Sequence, residues 1–239
     1  MIKIIAAVRR RPGMTHAEYL RYIEEIHGGI ARANVLGLSR YVQNHVFDGA
    51  FGHAAYERWF HRDSITELYF ATPEKLVETF THPYTRDVVG PDAVNFADLA
   101  TNLSLPPAAE RVLQAPPPAG SAIKVLHFVK ATGDSATAGT RWQQAHEQAR
   151  QSVPDIEGVA RGHVRSLVLP DKGASKPGGS DYFGGGGMPA FDGVASIWFS
   201  DEAGLEVFRR YEAALRATGF VDPDPSFFVY AREVEILAL

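Results

Sequence analysis

An internal repeat constrains the fold of this chain more than any other feature of its sequence. Segment 2–9 is short, apolar and rich in β-branched residues, and it ends in Arg9. Segment 123–130 has the same character and ends in Lys130, at an offset of 123 − 2 = 121 residues. Runs of this kind are typical of strands. The repeat therefore indicates two copies of one structural unit.

The other elements of the two copies follow in the same order. A helix is predicted from Thr15, which forms a capping signature with Glu18, and its counterpart begins near Thr140. The clearest match joins 63–70 to 192–199, at a constant offset of 192 − 63 = 129. A second helix and a last strand complete each copy, so the order strand, helix, strand, strand, helix, strand occurs twice.

This order predicts an α+β protein made of two fused ferredoxin-like βαββαβ units, at residues 1–115 and 121–239. A proline-rich segment between them is predicted to be a stiff, extended linker. The first strand is apolar on both faces, with Ile4 on one and Ile5 on the other. Such a strand needs cover on both sides. We therefore expect helices on one side of each antiparallel sheet and the sister sheet, packed face to face, on the other.

Composition excludes several classes of protein. Of the 239 residues, 45% are hydrophobic and 22% are charged, which fits a globular chain with a sizeable core. There are no cysteines, which excludes disulfides, thiolate metal sites and cysteine nucleophiles. With a formal charge of −4 and no basic run beyond 9–11, we expect no nucleic-acid partner. We also expect no membrane association and a cytoplasmic location, because long apolar runs and signal-peptide patterns are absent.

Several segments carry a resemblance to a known family. They are the helix end 22–27, the strand 40–45, the third strand with Phe70, and the acidic stretch 91–98 before the last strand of the first unit. In this order they resemble the EthD-like family of the dimeric α/β-barrel superfamily, over nearly the whole chain and more strongly in its first half. The resemblance implies a dimeric α/β barrel without a bound cofactor. It also implies acid–base work on a hydrophobic, enolisable small molecule in a pocket between sheet and helices.

Histidines are the candidate catalytic residues. His27 lies late on the first predicted helix and His45 on the second strand, and their counterparts are His146 and His163. Histidine titrates near neutral pH, so one ring can remove a proton while another returns one. We expect His27 and His45 to reach one pocket, and the counterparts to form a second copy of it. The alternative for each is a hydrogen-bonded structural histidine, stabilised by a helix dipole where it ends a helix.

Further residues are candidates for binding the substrate. They are Tyr41, Glu67, Tyr69, Tyr182 and Trp198. A carboxylate such as Glu67 is costly in a buried strand unless it is paired, and the alternative to substrate binding is an ion pair with Arg9 or Arg40. The tyrosines of the strands can donate hydrogen bonds to a substrate carbonyl or pack as aromatic side chains. Tyr182 lies in a glycine-rich loop that is expected to close over a pocket.

The leading functional hypothesis is a cofactor-independent lyase, including dehydratase, or an isomerase. It would act on a small hydrophobic aromatic or polyketide-like carbonyl compound by histidine acid–base catalysis. We expect no metal, because the histidines lack HxH and HxxxH spacing. The alternatives are a cofactor-independent, anthrone-type oxygenase and a non-catalytic protein that binds a hydrophobic metabolite. The chain would be a pseudo-dimer by itself, and a homodimer of such chains is a further alternative.

Overall fold

The computed structural model describes residues 1–51, 61–169 and 190–239. The strands in these residues are β1 (Ile2–Val8), β2 (Leu38–Phe51), β3 (Ser64–Phe70), β4 (Leu103–Ser104), β5 (Ala108–Gln114), β6 (Ile123–Val129), β7 (Ala160–Val168), β8 (Gly193–Phe199) and β9 (Phe227–Ala238). The α-helices are α1 (His16–Arg21), α2 (Gly28–Ala33), α3 (Pro73–Thr81), α4 (Ala138–Ser152), α5 (Asp155–Val159) and α6 (Ala203–Ala217). A π-helical segment, Tyr22–His27, joins α1 to α2.

Local sequence signals set the helix ends. Thr15 accepts a hydrogen bond from the backbone N–H of Glu18, whose carboxylate accepts one from the Thr15 backbone, so the predicted capping box starts α1. Pro73 occupies the first turn of α3, where its missing N–H costs nothing. Helix α4 ends at Ser152, two residues before Pro154, because proline cannot continue a helix.

The strands form one antiparallel sheet that closes on itself. The order around it is β2-β3-β1-β5-β7-β8-β6-β9, and β9 pairs with β2 again. The short strand β4 lies beside β1. The protein is thus a mixed α+β structure built around a closed eight-stranded barrel, which confirms the predicted class and the antiparallel pairing.

The two halves of the chain meet at two seams of this barrel. Strands β1, β2, β3 and β5 precede the proline-rich linker, and β6 to β9 follow it. One seam pairs β2 with β9, and the other pairs β5 with β7. The expectation of two separate sheets packed through their faces is therefore corrected, because the sheets are continuous through their edges. Closure supplies hydrogen-bond partners to edge strands that a four-stranded sheet would leave open.

Matching contacts recur in the two halves. The strand orders β2-β3-β1-β5 and β7-β8-β6-β9 correspond to each other. The carboxylate of Asp63 accepts a hydrogen bond from the Arg10 N–H at 2.8 Å, and that of Asp192 accepts one from the Ala131 N–H at 2.8 Å. These residues are related by 192 − 63 = 129 and 131 − 10 = 121, the offsets found in the sequence. The contacts support the repeat, whereas its origin by duplication and the exact domain boundaries stay predictions.

Apolar side chains fill the barrel and the layer between its outer face and the helices. The barrel interior holds an apolar cluster that includes Ile5, Val46, Ile65, Leu126, Phe128 and Phe227. Outside the barrel, Tyr19, Ile23 and Phe96 pack in the first half, and Trp142, Phe208 and Phe220 pack in the second. In the described parts of the chain, the helices are too short or too polar to cross a bilayer.

The barrel interior also contains buried charges. Lys3 on β1 is 1% exposed, and its Nζ lies 2.7 Å from Glu110 and over the ring of Tyr69. Lys124 on β6 stands at the matching position of the second half, since 124 − 3 = 121. A buried ammonium group is tolerated only when it is paired and hydrogen-bonded.

Lys124 has the same kinds of partner as Lys3. Its Nζ lies 2.9 Å from Glu233 and over the ring of Trp198, whose indole N–H donates to the same carboxylate at 2.7 Å. The two sets therefore repeat a lysine, a glutamate and an aromatic ring. Neither set by itself connects the two halves through a shared charge.

Glu67 makes this connection. Its carboxylate accepts hydrogen bonds from Lys3 Nζ at 2.8 Å, from Lys124 Nζ and from Asn44 Nδ2 at 3.0 Å. Burial alone would raise the pKa of Glu67, but the ammonium groups of Lys124 and Lys3 hold it below its usual range. Its counterpart in the repeat is Ser196, so this bridge occurs on one side of the barrel.

Replacing Glu67 by glutamine is expected to lower the free energy of unfolding by about 3–5 kcal/mol, because two buried lysines lose a shared carboxylate. Urea denaturation of both proteins at pH 7 measures the loss. Glu110→Gln is the matched control: Glu110 is partly exposed and contacts one lysine, so its loss should be smaller. Equal losses would contradict a special role for the bridging position.

The same bridge predicts a pH dependence. The pKa of Glu67 in the folded protein lies below its unfolded value of about 4.3. Its contribution to stability is therefore present above about pH 4 and disappears as the pH falls toward the lowered pKa. The stability difference between wild type and Glu67→Gln should shrink in urea titrations below about pH 4, and a constant difference would contradict the assignment.

Candidate functional site

A cavity of about 80 Å³ lies in the first half, between the outer face of the barrel and the helical layer. Much of its wall is apolar and includes Val8, Ile23, Leu38, Leu68, Phe80 and Phe96. The polar groups in the wall include Tyr19, His27, Tyr41, Ser64, Thr66 and Asn102. An apolar hollow with a few converging polar groups is the usual form of a small-molecule site.

His27 reaches this cavity from the end of the π-helical segment Tyr22–His27. Its Nδ1 lies 2.9 Å from Asp92 Oδ2, and its ring packs on Phe96 with centroids 4.7 Å apart. Among the described residues its Nε2 has no hydrogen-bond partner. Nδ1 is therefore held by the carboxylate of Asp92, and Nε2 is available to contact a ligand. Single π-helical turns are frequent at functional sites.

Asp92 is itself held in place. It lies in the 3₁₀ turn Pro91–Asn95, where the hydroxyl of Tyr22 donates to Oδ1 at 2.7 Å and the amide of Asn95 donates at 2.9 Å. Burial would raise the pKa of Asp92, but these hydrogen bonds and the one from His27 lower it. The carboxylate is therefore ionised at neutral pH.

The electrostatics of the pair leave His27 neutral near pH 7. Burial lowers the pKa of His27, and the hydrogen bond to Asp92 opposes this effect only in part. A carboxylate can only accept, so the proton of the neutral ring lies on Nδ1. The lone pair of Nε2 is then available to accept a proton from a molecule in the cavity.

Tyr41 is the predicted substrate-binding residue that lines the same cavity. Its hydroxyl oxygen accepts a hydrogen bond from Gln43 Nε2 at 2.9 Å and interacts with the side chain of Thr66. Gln43 is oriented by a second bond, to the carbonyl of Ile23 at 2.6 Å. Burial raises the pKa of Tyr41 to about 12, so its hydroxyl stays protonated and can donate to a ligand.

We expected His45 and His27 to reach one pocket, but His45 is not among the residues that line the cavity. It lies further along β2, and its Nε2 is 3.2 Å from Gln43 Oε1. Burial and the nearby charge of His16 lower the pKa of His45 to about 4. Its connection to the cavity runs through the amide of Gln43, which also contacts Tyr41.

Three of the other predicted binding residues lie inside the barrel rather than at the cavity. Glu67, Tyr69 and Trp198 belong to the buried lysine network described above. The partners of Glu67 are lysines and not the arginines that the sequence suggested, since Arg40 pairs with Glu235 at 2.7 Å. Tyr182 lies outside the described residues.

His146 and His163 lie side by side in the second half. Their ring centroids are 5.0 Å apart, and His146 Nδ1 lies 2.7 Å from the hydroxyl of Tyr211. Burial lowers the pKa of both histidines, to about 4 for His146. Their catalytic role stays a prediction.

The space around this histidine pair differs from that around His27. Trp142 takes the place of Ile23 in the repeat, since 142 − 23 = 119 equals the offset 146 − 27 of the helix histidines. The indole is fully buried and packs on Phe220, with centroids 5.8 Å apart. A tryptophan side chain fills more of the space between sheet and helices than the isoleucine at the matching position of the first half.

Sequence reasoning missed the partner of His27. The acidic stretch 91–98 was noticed, but nothing in the sequence indicated that Asp92, 65 residues away, meets His27. It also missed the lysines of the barrel interior. The signal available was a lysine at the same place in two otherwise apolar strands, Lys3 and Lys124. Across residues 1–51, 61–169 and 190–239, no group of three His, Cys, Asp or Glu side chains is arranged to hold a metal ion.

The model of the EthD domain family matches residues 11–100. This stretch contains His27, Tyr41 and Asp92, so the candidate site lies in the part of the chain that is similar to the EthD domain. The resemblance inferred from the sequence is thereby confirmed for the first half. No curated protein is significantly similar to the chain in sequence.

Solved structures with a similar fold include two of nearly the same extent. An anthrone oxidase-like protein is 11% identical with a TM-score of 0.59, and the match covers 99% of this chain and 95% of that one. A putative chlorite dismutase is 12% identical with a TM-score of 0.51, covering 98% and 95%. At these identities the likeness shows the fold alone, a closed α/β barrel formed here by one chain. Together with the match to the EthD model over residues 11–100, it indicates a small-molecule enzyme-like fold.

The contact between His27 and Asp92 predicts the effect of Asp92→Asn. This substitution should lower the pKa of His27 further, because burial then acts without the opposing carboxylate. NMR titration of the His27 ring in wild type and variant measures the shift. Asp87→Asn is the control, since Asp87 is an exposed carboxylate of the same region and should leave the titration unchanged. An unchanged or raised pKa in Asp92→Asn would contradict the pairing.

Proposed function

We propose that this protein is a cofactor-independent lyase or isomerase that acts on a small, hydrophobic carbonyl compound in the cavity of its first half. The observation that carries the proposal is the pair formed by His27 and Asp92, which presents a neutral imidazole nitrogen to an apolar cavity. A neutral imidazole with a fixed tautomer is suited to general-base catalysis near neutral pH.

In the proposed reaction, His27 Nε2 removes a proton from the carbon next to the substrate carbonyl. The electron pair of that C–H bond moves into an enolate, and the imidazolium is stabilised by the ionised Asp92. Return of the proton to another carbon completes an isomerisation. Its delivery to a leaving hydroxyl group, which departs as water, completes a dehydration.

Tyr41 supports the same chemistry. Its hydroxyl accepts from Gln43, stays protonated because burial raises its pKa to about 12, and lines the cavity with His27. A hydrogen bond from this hydroxyl would stabilise the negative oxygen of the enolate. A donor placed in advance at a developing negative charge is a large contribution to many enzymatic rates.

An oxygenase is the second candidate, favoured by the fold shared with an anthrone oxidase-like protein. The same base would form a carbanion from an activated, anthrone-like substrate, and molecular oxygen would then be the oxidant. The two candidates use the same residues. They differ in whether oxygen is consumed and in the change of substrate mass.

A turnover screen of the purified protein against aromatic and polyketide-like carbonyl compounds tests these candidates, with mass spectrometry and a dissolved-oxygen electrode as readouts. Loss of water, or a product of equal mass, without oxygen uptake supports the lyase or isomerase. Oxygen uptake with a gain in mass supports the oxygenase. Saturable binding without turnover would overturn both and support a carrier of hydrophobic metabolites.

For any substrate found in this way, His27→Gln is expected to lower kcat by about 10²–10⁴, the usual loss when a general base is removed. Tyr41→Phe is expected to lower kcat by a similar factor if its hydroxyl stabilises the enolate. His61→Gln serves as the control because His61 is 53% exposed and lies away from the cavity wall. Full activity of His27→Gln would refute the proposed base.

A further inference from the structure

The second half contains a buried cation without a carboxylate partner. Arg165 on β7 is 1% exposed, and its guanidinium donates to Gln143 Oε1 on α4. Its Nε has no hydrogen-bond partner, and no ion pair to it occurs among the described residues. A buried charge left in this state is costly, so the arrangement is incomplete without a counterion.

A second arginine stands directly opposite. Arg111 on β5 and Arg165 are paired residues in the antiparallel register of the second seam. Paired residues project from the same face of the sheet with Cβ atoms roughly 4.5–5.5 Å apart, and like charges at such positions repel each other. Arg111 is exposed, so solvent reaches the pair from the side of Arg111, whereas Arg165 is almost fully buried.

The groups around Arg111 and Arg165 leave the positive charge of these two residues unbalanced. His163 lies two residues before Arg165 on the same face of β7, and its Nε2 is buried without a partner. Burial and the charge of Arg111 lower the pKa of Arg165 to about 10, so the guanidinium remains charged near neutral pH. The acidic neighbours are engaged elsewhere: Glu147 pairs with Arg150, and Glu110 turns into the barrel toward Lys3.

We propose that Arg165, Arg111 and His163 form a binding site for a small oxyanion, such as a carboxylate or phosphate group. The planar fork of a guanidinium matches both groups and binds them through two parallel hydrogen bonds. An oxyanion between the two arginines supplies the missing counterion. The oxyanion also accepts a hydrogen bond from the unpaired Nε–H of Arg165. The site is separate from the cavity that contains His27 and does not depend on the function proposed for it.

Thermal unfolding of the full-length protein tests this site, in a zwitterionic buffer held at constant ionic strength with sodium chloride. Sodium acetate and sodium phosphate, titrated separately, probe the two kinds of oxyanion. At ten times the Kd we expect a Tm increase of about 3–6 °C, and above the Kd the Tm should rise with the logarithm of the anion concentration. Such a rise with acetate, with phosphate or with both supports the site and identifies the group. A response no different from that of chloride overturns the proposal.

Variants assign the effect to the arginines. Arg111→Gln removes the like charge opposite Arg165 at an exposed position, so the Tm without anion should not fall, while the Kd rises about tenfold or more. Arg161→Gln is the matched control, because Arg161 is an exposed arginine of β7 that donates to Ser200 at 2.7 Å. It should respond to anions as the wild type does. Equal responses of Arg111→Gln and wild type would overturn the proposal.

Arg165→Met separates a binding role from a structural one. An apolar residue of similar length removes the uncompensated charge, so the Tm without anion should not fall, and the response to anions should be lost. A lower Tm together with a retained response to anions would show that Arg165 serves the fold, which contradicts the proposal. The Arg111→Gln result decides the matter should Arg165→Met not fold.

Discussion

The barrel depends on one carboxylate that two halves of the chain share. Glu67 accepts hydrogen bonds from Lys3 of the first half and Lys124 of the second, in an interior where all three are nearly inaccessible to water. Taking these charges out of water costs energy that only close pairing offsets. The two halves therefore gain from being closed into one barrel beyond the hydrogen bonds of the seams, because Lys124 finds its second counterion, Glu67, only in the assembled structure.

Because side chains fill the barrel interior, the candidate site lies on the outer face of the barrel. The cavity with His27 lies between that face and the helices, where a residue of β2, Tyr41, and a residue of the first helical region reach the same space. The carboxylate that orients His27 comes from the turn before the last strand of the same half. The site is therefore assembled from one half of the chain, the half that is similar to the EthD domain.

The two halves have the same order of strands and helices but differ in the side chains around the corresponding histidines. Where the first half has Ile23 beside a cavity and His27 held by Asp92, the second has Trp142 in a packed core and His146 held by Tyr211. A tyrosine hydroxyl doesn't carry the charge that would stabilise an imidazolium. The basic pair on the second seam adds a feature without a counterpart among the matched residues, so repetition of the elements does not imply repetition of the site.

The sequence by itself determined the elements, their order and the repeat. These follow from local signals such as the capping box at Thr15, strand patterns and constant offsets, which act over a few residues. Only the tertiary structure decided that the sheets join through their edges, that Asp92 rather than His45 is the partner of His27, and that Glu67 binds lysines. Each of these is a contact between residues far apart in the chain, and its energy comes from burial and pairing that exist only once the barrel has closed.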